Sequence, residues 1–440
     1  MMMSIERSFR QSPYSSYAYS YPHKTAYRAF EQPVSLVDAW ASERKDSLFL
    51  YLHVPFCEMR CGFCNLFTTA NPDEYAERAY VEAMTRQARE VSSSLGEAGF
   101  ARMALGGGTP TFLDAAALDG LFDIAERIFG CDVSVVPASC ETSPFTADKS
   151  KLRLLRDRGI DRISIGVQSF VETETGAVGR SQKLSSVEQA LERIREIGFP
   201  ILNIDLMYGL PGQTVDTWLA SLRCALRFAP EELYLYPLYV RPLTGLGRHS
   251  SEWDDIRLAC YREGKSLLTS TGYEQVSMRM FRSRSAATKD EPVYCCQDDG
   301  MVGIGCGARS YTQRLHYCSE YAVNAGDIRR IINRFIESPR GVFSFAEHGF
   351  KLSEDEQRRR FVLKSVLRTE GLALDAYRDR FGHELQDDLP ELSELLRADL
   401  AVKDDQTFRL SEVGMELSDA IAPWLYSTSV HELMKSYELR

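Results

Sequence analysis

Three cysteines stand close together in the segment HVPFCEMRCGFCNLF: Cys57, Cys61 and Cys64, separated by three and then two residues. Thiolates are soft ligands, suited to iron–sulfur clusters, zinc or copper(I). A structural zinc site closes its tetrahedron with four ligands, often as two pairs. No second CxxC pair is present, and the adjacent Cys295 and Cys296 cannot copy that spacing. His53, four positions before Cys57 on a predicted strand, is not a standard fourth ligand. Ferredoxin-type clusters also use four cysteines. Three thiolates would leave one iron of a cubane open, as a cluster that binds a cofactor or substrate requires. The spacing alone leaves these metals open, and also a chance grouping in a core turn.

Further residues of chemical interest follow at intervals. Leu105-Gly106-Gly107-Gly108-Thr109-Pro110-Thr111 closes the second predicted strand; glycines let a backbone approach a ligand closely, although such a run by itself is an ordinary turn. Glu141 ends the third strand, Gln168 lies near the end of the fourth, and Arg180 stands in GAVGRSQ just beyond it. A guanidinium suits a carboxylate by bidentate pairing; a solvated surface arginine is the plain alternative. Asp205 interrupts the apolar run NIDLMYGLPGQT. An unpartnered buried carboxylate is costly, so it calls for a partner such as ribose hydroxyls. Tyr51 and His53 alternate along the first strand and so project to one side, next to the cysteine turn.

The elements that must position these residues form a repeating pattern. Runs rich in β-branched and aromatic residues at 48–54, 101–107, 133–141, 162–170, 201–209 and 232–240 predict strands, each followed by a stretch with helical spacing. Gly159 and Gly198 stand just past the ends of the third and fourth helices, where a left-handed cap is expected. The strand runs are apolar on both faces, as parallel strands covered by helices are. Six strand–helix units predict a parallel α/β architecture, with an incomplete (β/α) barrel and a doubly wound sheet both open on the pattern. All the residues above fall at the C-terminal ends of successive strands, where barrel folds assemble their sites.

After Thr271 the texture changes. One more strand is expected in GYEQVSMRMF, then a polar loop, the glycine-rich run GMVGIGCGARSY, and a helix around GDIRRIINRFIES. From about residue 340 the chain reads as charged helices followed by a hairpin in AVKDDQTFRLSEVG, a winged-helix-like arrangement. The predicted division is an N-terminal arm (1–44), a core barrel (45–285), a connecting segment (286–340) and a C-terminal domain (341–440).

The 440 residues are 44% hydrophobic and carry a net charge of −10. A chain this acidic has no general attraction for nucleic acid or anionic membranes, so neither is expected as a partner. No apolar run reaches bilayer length, and the first twenty residues lack the apolar core of a signal peptide, so a cytoplasmic location is expected. The 11 cysteines are an odd number without paired spacing, which predicts reduced thiols, most of them small core residues.

The motif CEMRCGFC resembles the radical S-adenosylmethionine (SAM) signature CxxxCxxC with an aromatic, Phe63, before the last cysteine. Its wider context, LYLHVPFCEMRCGFC, is similar to the HemN-like branch, the oxygen-independent coproporphyrinogen III oxidases. The resemblance is close over about 47–240 and weaker to the C-terminus. It implies a partial (β/α)6 barrel, with Cys57, Cys61 and Cys64 holding a [4Fe–4S] cluster whose open iron is chelated by SAM. It further implies that Gly107, Gly108 and Thr109 bind the methionyl group. Glu141, Gln168 and Arg180 are then SAM contacts, Asp205 a ribose contact, Tyr51 and Phe63 neighbours of SAM, and Tyr239 part of the adenine pocket. A small-molecule substrate and an electron donor such as flavodoxin or ferredoxin come with it. Three reactions fit: oxidative decarboxylation of a porphyrinogen, heme binding by a chaperone, or methylation with two SAM molecules. Leu66 departs from the oxidase, which carries a further cysteine there. RLHYCSEYAV keeps His316 and Tyr321 of the chaperone's heme signature but lacks its tryptophan and spacing.

Overall fold

The computed structural model describes residues 5–17, 20–72, 74–248, 255–286 and 296–439. Cys295, one of the adjacent cysteine pair, lies outside them. Six strands run parallel in chain order: β1 (Leu48–Val54), β2 (Phe100–Gly107), β3 (Ala138–Thr142), β4 (Arg162–Gln168), β5 (Ile201–Tyr208) and β6 (Glu232–Pro237). Strand alternation sorts their side chains. Leu50, Leu52, Ile163, Ile165, Leu202, Ile204, Leu233 and Leu235 are wholly buried. Each contributes on the order of 1.5–3 kcal/mol by leaving water. The intervening residues, Tyr51, His53, Ser164, Asn203, Asp205 and Tyr234, face the other way. This is the predicted partial (β/α)6 barrel.

Two strands are shorter than their sequence runs by three residues or more. Residues 133–136 form a turn instead of opening β3, because Asp132 Oδ1 accepts the N–H and hydroxyl of Ser134 (3.0 and 2.6 Å) and Pro137 follows. β6 stops at Pro237, a residue unable to extend a ladder by donation. Gly159 and Gly198 both adopt left-handed backbone as expected, and the N–H of Gly198 closes its helix on Ile194 and Arg195.

The sheet is wider than six strands. Met301–Ile304 lies parallel to β1, pairing Gly303 with Tyr51. Beyond it run Arg309–Tyr311, Leu315–Cys318, Phe345–Lys351 and Arg28–Ser35, each antiparallel to its neighbour. At the opposite edge, Met280–Ser283 and Tyr273–Gln275 add two antiparallel strands to β6, making thirteen. The arm and the connecting segment read from the sequence thus extend the barrel sheet. The strands of the connecting segment are only three or four residues long, and that of the arm has no buried residue, so they carry little pattern. Gly303 is required there, since a Cβ would stand 2.2 Å from the carbonyl oxygen of Arg309.

The C-terminal region has the predicted winged-helix-like form. Helix Glu354–Val366 is followed by a three-stranded sheet in which Ala401–Lys403 and Thr407–Leu410 make the hairpin. It is clasped to the barrel by polar contacts. Asp419 accepts hydrogen bonds from Tyr239 Oη and Arg279 Nη2, and Glu416 takes a bidentate pair from Arg262 (2.6 and 2.7 Å). Among the described residues no helix is long and apolar enough to cross a membrane.

Candidate functional site

The cysteine loop is fixed at its base and at its tip. At the base, Phe56–Cys57 pairs with Thr69–Ala70, and the N–H groups of Thr69 and Asn71 donate to Pro55 O and Cys57 O (2.7 and 2.9 Å). At the tip, Gly62 N–H donates to Val178 O (2.7 Å) and Gly62 O accepts from Leu246 (2.8 Å). Phe63 packs its half-buried ring on Val178, Met207, Leu210 and Leu238. Cys61 is buried, while Cys57 and Cys64 are partly open. Burial pushes the Cys57 thiol up to about 12 and raises that of Cys61.

Behind the loop, the glycine run closes on the thiols. Gly108 N–H donates to Val54 O (2.8 Å) and Thr109 N–H to Phe56 O (2.7 Å), while Thr109 Oγ1 stands 3.7 Å from Cys57 Sγ. A Cβ on Gly108 would lie 2.5 Å from Phe56 O and 2.8 Å from Cys57 Sγ. Gly107 has φ +119°, and its N–H donates to Glu141 Oε2 (3.1 Å). Tyr51 Oη and His53 Nδ1 are 3.1 Å apart, and His53 Nε2 lies 3.4 Å from Phe67 O. Burial holds the His53 pKa down to about 4. A neutral ring that donates from Nε2 leaves Nδ1 to accept the Tyr51 hydroxyl. His53 therefore braces Tyr51 against the far side of the cysteine loop.

Two carboxylates share the lumen. Glu141 meets solvent in the open barrel but is ringed by protein at longer range. Desolvation, and then the charge of Asp205, raise its pKa to about 7 against the Gly107 hydrogen bond. Asp205 rises to about 6, chiefly by burial, and is steadied by Asn203 Nδ2 (2.8 Å), Arg162 and Ser164 Oγ (3.3 Å). At β4 a register shift falls between Gly166 and Gln168, and Gln168 takes φ +69°. Arg180 holds that irregularity. Its Nη2 donates to Gly166 O (2.6 Å), its Nε to Gln182 Oε1 (2.9 Å), and its Nη1 reaches Cys61 Sγ (3.3 Å). Gln182 in turn donates to Val167 O and Ser169 O (2.7 and 3.2 Å). The guanidinium is thus spent on backbone, amide and thiol, with no protein carboxylate among these three bonds.

Comparison with known proteins agrees with this geometry. Residues 51–225 match the Radical SAM superfamily model and 352–417 the HemN C-terminal domain model. This chain is a radical SAM protein of the HemN-like family. It is 26% identical to the heme chaperone HemW of Bacillus subtilis, over 84% of this chain and 97% of that one. It is also 26% identical to the oxygen-independent coproporphyrinogen III oxidase of Escherichia coli, over 90% and 91%. The solved structure of the E. coli coproporphyrinogen III oxidase HemN has the same fold, with a TM-score of 0.79 at 22% identity, covering 96% of this chain and 98% of that one.

Radical SAM proteins of this fold bind a [4Fe–4S] cluster and SAM, and the residues present fit that pair. The donor set is three thiols. Among the described residues, no three Cys, His, Asp or Glu side chains gather closely enough for a single metal ion; a cubane instead offers each thiolate its own iron. The cradle at Gly107 and Gly108 leaves a bare backbone edge where any side chain would collide.

Of the residues singled out in the sequence, Tyr51, Gly107, Gly108, Thr109, Glu141 and Cys57 gather around the glycine run, and Arg180 meets Cys61. Cys64 is joined to the group through the loop, and Gln168 and Asp205 line the adjoining strands. Tyr239 is apart from them. Its hydroxyl is held by Asp419 and Arg279 at the junction with the C-terminal region, which is a fastening position. Sequence reasoning missed Asn203 and Gln182 as supports. Asn203 alternates with Asp205 in an apolar strand, and Gln182 stands two residues after Arg180, so both left a signal. Lys24 left none.

Proposed function

We propose that this protein is a HemN-like radical SAM enzyme acting on a large planar, porphyrin-like substrate. In this reading Cys57, Cys61 and Cys64 hold the cluster; Tyr51, Phe63, Gly107, Gly108, Thr109, Glu141, Gln168, Arg180 and Asp205 surround SAM. Held by these residues and given an electron from a donor such as flavodoxin or ferredoxin, the cluster and SAM would together supply one-electron reductive cleavage chemistry. The chain's part is orientation and exclusion. Gly107 and Gly108 offer backbone edge to the methionyl group, Glu141 accepts its amino hydrogens, and Asp205 accepts from ribose hydroxyls. Arg180, bonded to Cys61 Sγ, offsets negative charge on the thiolates.

One observation carries the reading: three thiols, a side-chain-free backbone cradle and two acceptor carboxylates share one end of one barrel. The test is anaerobic incubation of the reduced, cluster-loaded protein with SAM, with and without coproporphyrinogen III. 5′-Deoxyadenosine is expected, together with porphyrinogen products lighter by one carbon dioxide and two hydrogens for each propionate converted to vinyl, one hydrogen atom leaving in 5′-deoxyadenosine and the other as a proton and an electron passed to an added acceptor. 5′-Deoxyadenosine without decarboxylated product would retain the class and remove that substrate.

A second reading, heme chaperone, is supported by the similarity to HemW. The histidine left from a heme signature speaks against its sequence-level form. His316 has no exposed surface, and its two nitrogens face Arg360 Nη1 (3.0 Å) and Tyr27 Oη (3.2 Å). Heme titration of the purified protein separates the two. Stoichiometric heme binding without SAM cleavage under strong reductant would favour the chaperone.

A further inference from the structure

Lys24 is buried beside the cysteine loop. It is 8% exposed, its Nζ donates to Asn65 O at 3.4 Å, and it stands 3.8 Å over the Tyr321 ring. Among the described residues no carboxylate lies within ion-pair distance of it. Burial first, and then the guanidinium groups of Arg309 and Arg241, hold its pKa well below the usual lysine value, against the opposing thiols of Cys64 and Cys318; the same two guanidiniums act on neighbouring His23. The position is built, since the segment around Lys24 is clamped on both sides. Tyr21 exchanges hydrogen bonds with Gln297 (3.3 and 3.2 Å), and Arg28 Nη1 donates to Thr25 O and Tyr27 O (2.8 Å each). Leu66, next to the carbonyl that Lys24 touches, is 50% exposed.

A buried ammonium without a full counter-charge costs several kcal/mol, so the side chain either gives up its proton or is completed by an anion. The cofactors account for little of that anion. A cubane core on three thiolates carries about one net negative charge, which Arg180 meets at Cys61 and Lys24 shares from the side of Cys64, and SAM chelated through its amino and carboxylate groups carries none. We propose that Lys24, supported by Arg309 and Arg241, receives a carboxylate group of the substrate, with Leu66 covering apolar surface beside it. This rests on the planar-substrate reading above and adds that the substrate is an anionic amphiphile anchored by the N-terminal arm.

The test uses the cluster-loaded protein with SAM, titrated with coproporphyrin III, a tetracarboxylate, and with its tetramethyl ester. Wild type is expected to bind the acid and not the ester. Lys24→Met should weaken acid binding on the order of tenfold or more, the scale of one charge-assisted hydrogen bond. Lys24→Arg should restore part of it and Arg241→Gln should weaken it. Iron content, SAM affinity and melting temperature of Lys24→Met should stay at or above wild type, because methionine fills the site without a charge to desolvate. Equal binding of the acid by wild type and both neutral variants would overturn the anchor and leave the substrate reading standing. Loss of iron or of SAM affinity in Lys24→Met would also overturn it, by making a cofactor the anion. Wild type that binds neither compound would remove the porphyrin-like substrate, and the anchor with it.

Discussion

Replacing Gly108 by alanine tests whether the glycine run serves the thiols or is merely a turn. The backbone at Gly108 is not in the left-handed region, so alanine brings no conformational penalty of that kind. The added methyl would stand 2.5 Å from Phe56 O, 3.0 Å from Phe56 C and 2.8 Å from Cys57 Sγ. Ordinary contact begins near 3.5 Å, so the neighbours must retreat by roughly 0.7–1 Å. Phe56 O is also the acceptor for Thr109 N–H at 2.7 Å, and moving it away from residue 108 strains that bond. Over-packing of this kind costs about 1–3 kcal/mol, whereas a metal-binding constellation tolerates about 0.5 Å. If that cost falls on cluster binding, retention should drop roughly five- to 150-fold. The assay is iron and sulfide content, with the cluster absorption band, after anaerobic reconstitution and challenge with a graded chelator. Gly176→Ala is the control, since its Cβ would meet nothing within 4 Å. Gly108→Ala that resists chelator as wild type does, with the control unchanged, would refute the claim that this backbone edge sets the position of Cys57.

Substituting Cys57, Cys61 and Cys64 together by alanine should abolish the cluster chromophore in anaerobically purified protein; full iron and sulfide in that variant would reassign the site. Glu141→Gln should flatten part of the pH dependence of apoprotein stability. The folded-state pKa of about 7 lies above the ordinary value of 4.5, so the favourable contribution of the protonated group is full below pH 4.5 and lost as pH rises through 7. Melting temperatures of wild type and variant should therefore diverge across that window, with wild type falling relative to Glu141→Gln; parallel curves would show that Glu141 titrates normally. Tyr239→Phe should destabilise the protein by about 1–3 kcal/mol, as loss of a buried hydrogen bond to a carboxylate does, and leave SAM affinity unchanged. A weakened SAM affinity at unchanged stability would return Tyr239 to the cofactor pocket.

The barrel was legible because its six strands are long, apolar and evenly spaced, and because each catalytic-type residue interrupts or ends one of them. Asp205 is conspicuous in NIDLMYG for the same reason that it needs Asn203 and Ser164 as partners. The widening of the sheet was not legible. Met301–Ile304 is four residues of a glycine-rich run, and its membership depends on register with β1, which arises only when distant segments meet. The same holds for Arg28–Ser35, an edge strand with no buried residue whose partner lies more than 300 residues away. Tyr239 shows the limit from the other side. Its place just past β6 suggested the pocket, but its hydroxyl is claimed by Asp419 from the C-terminal region, a contact no local pattern encodes.

Arg180 joins these strands of reasoning. Its sequence context suggested a guanidinium reserved for a carboxylate, yet each of its nitrogens already has a protein partner. Those partners are Gly166 O on β4, Gln182 beyond it and Cys61 on the thiol loop. One side chain therefore ties the irregularity that turns Gln168 into the left-handed region to the loop that carries the thiols. A lysine could not do this, because a point charge cannot hold three partners in a planar fork. The coupling gives a reason for arginine here that does not depend on which molecule fills the lumen. Strand, loop and donor atoms are set relative to one another by the protein before any cofactor arrives, as a site that controls a reactive radical requires.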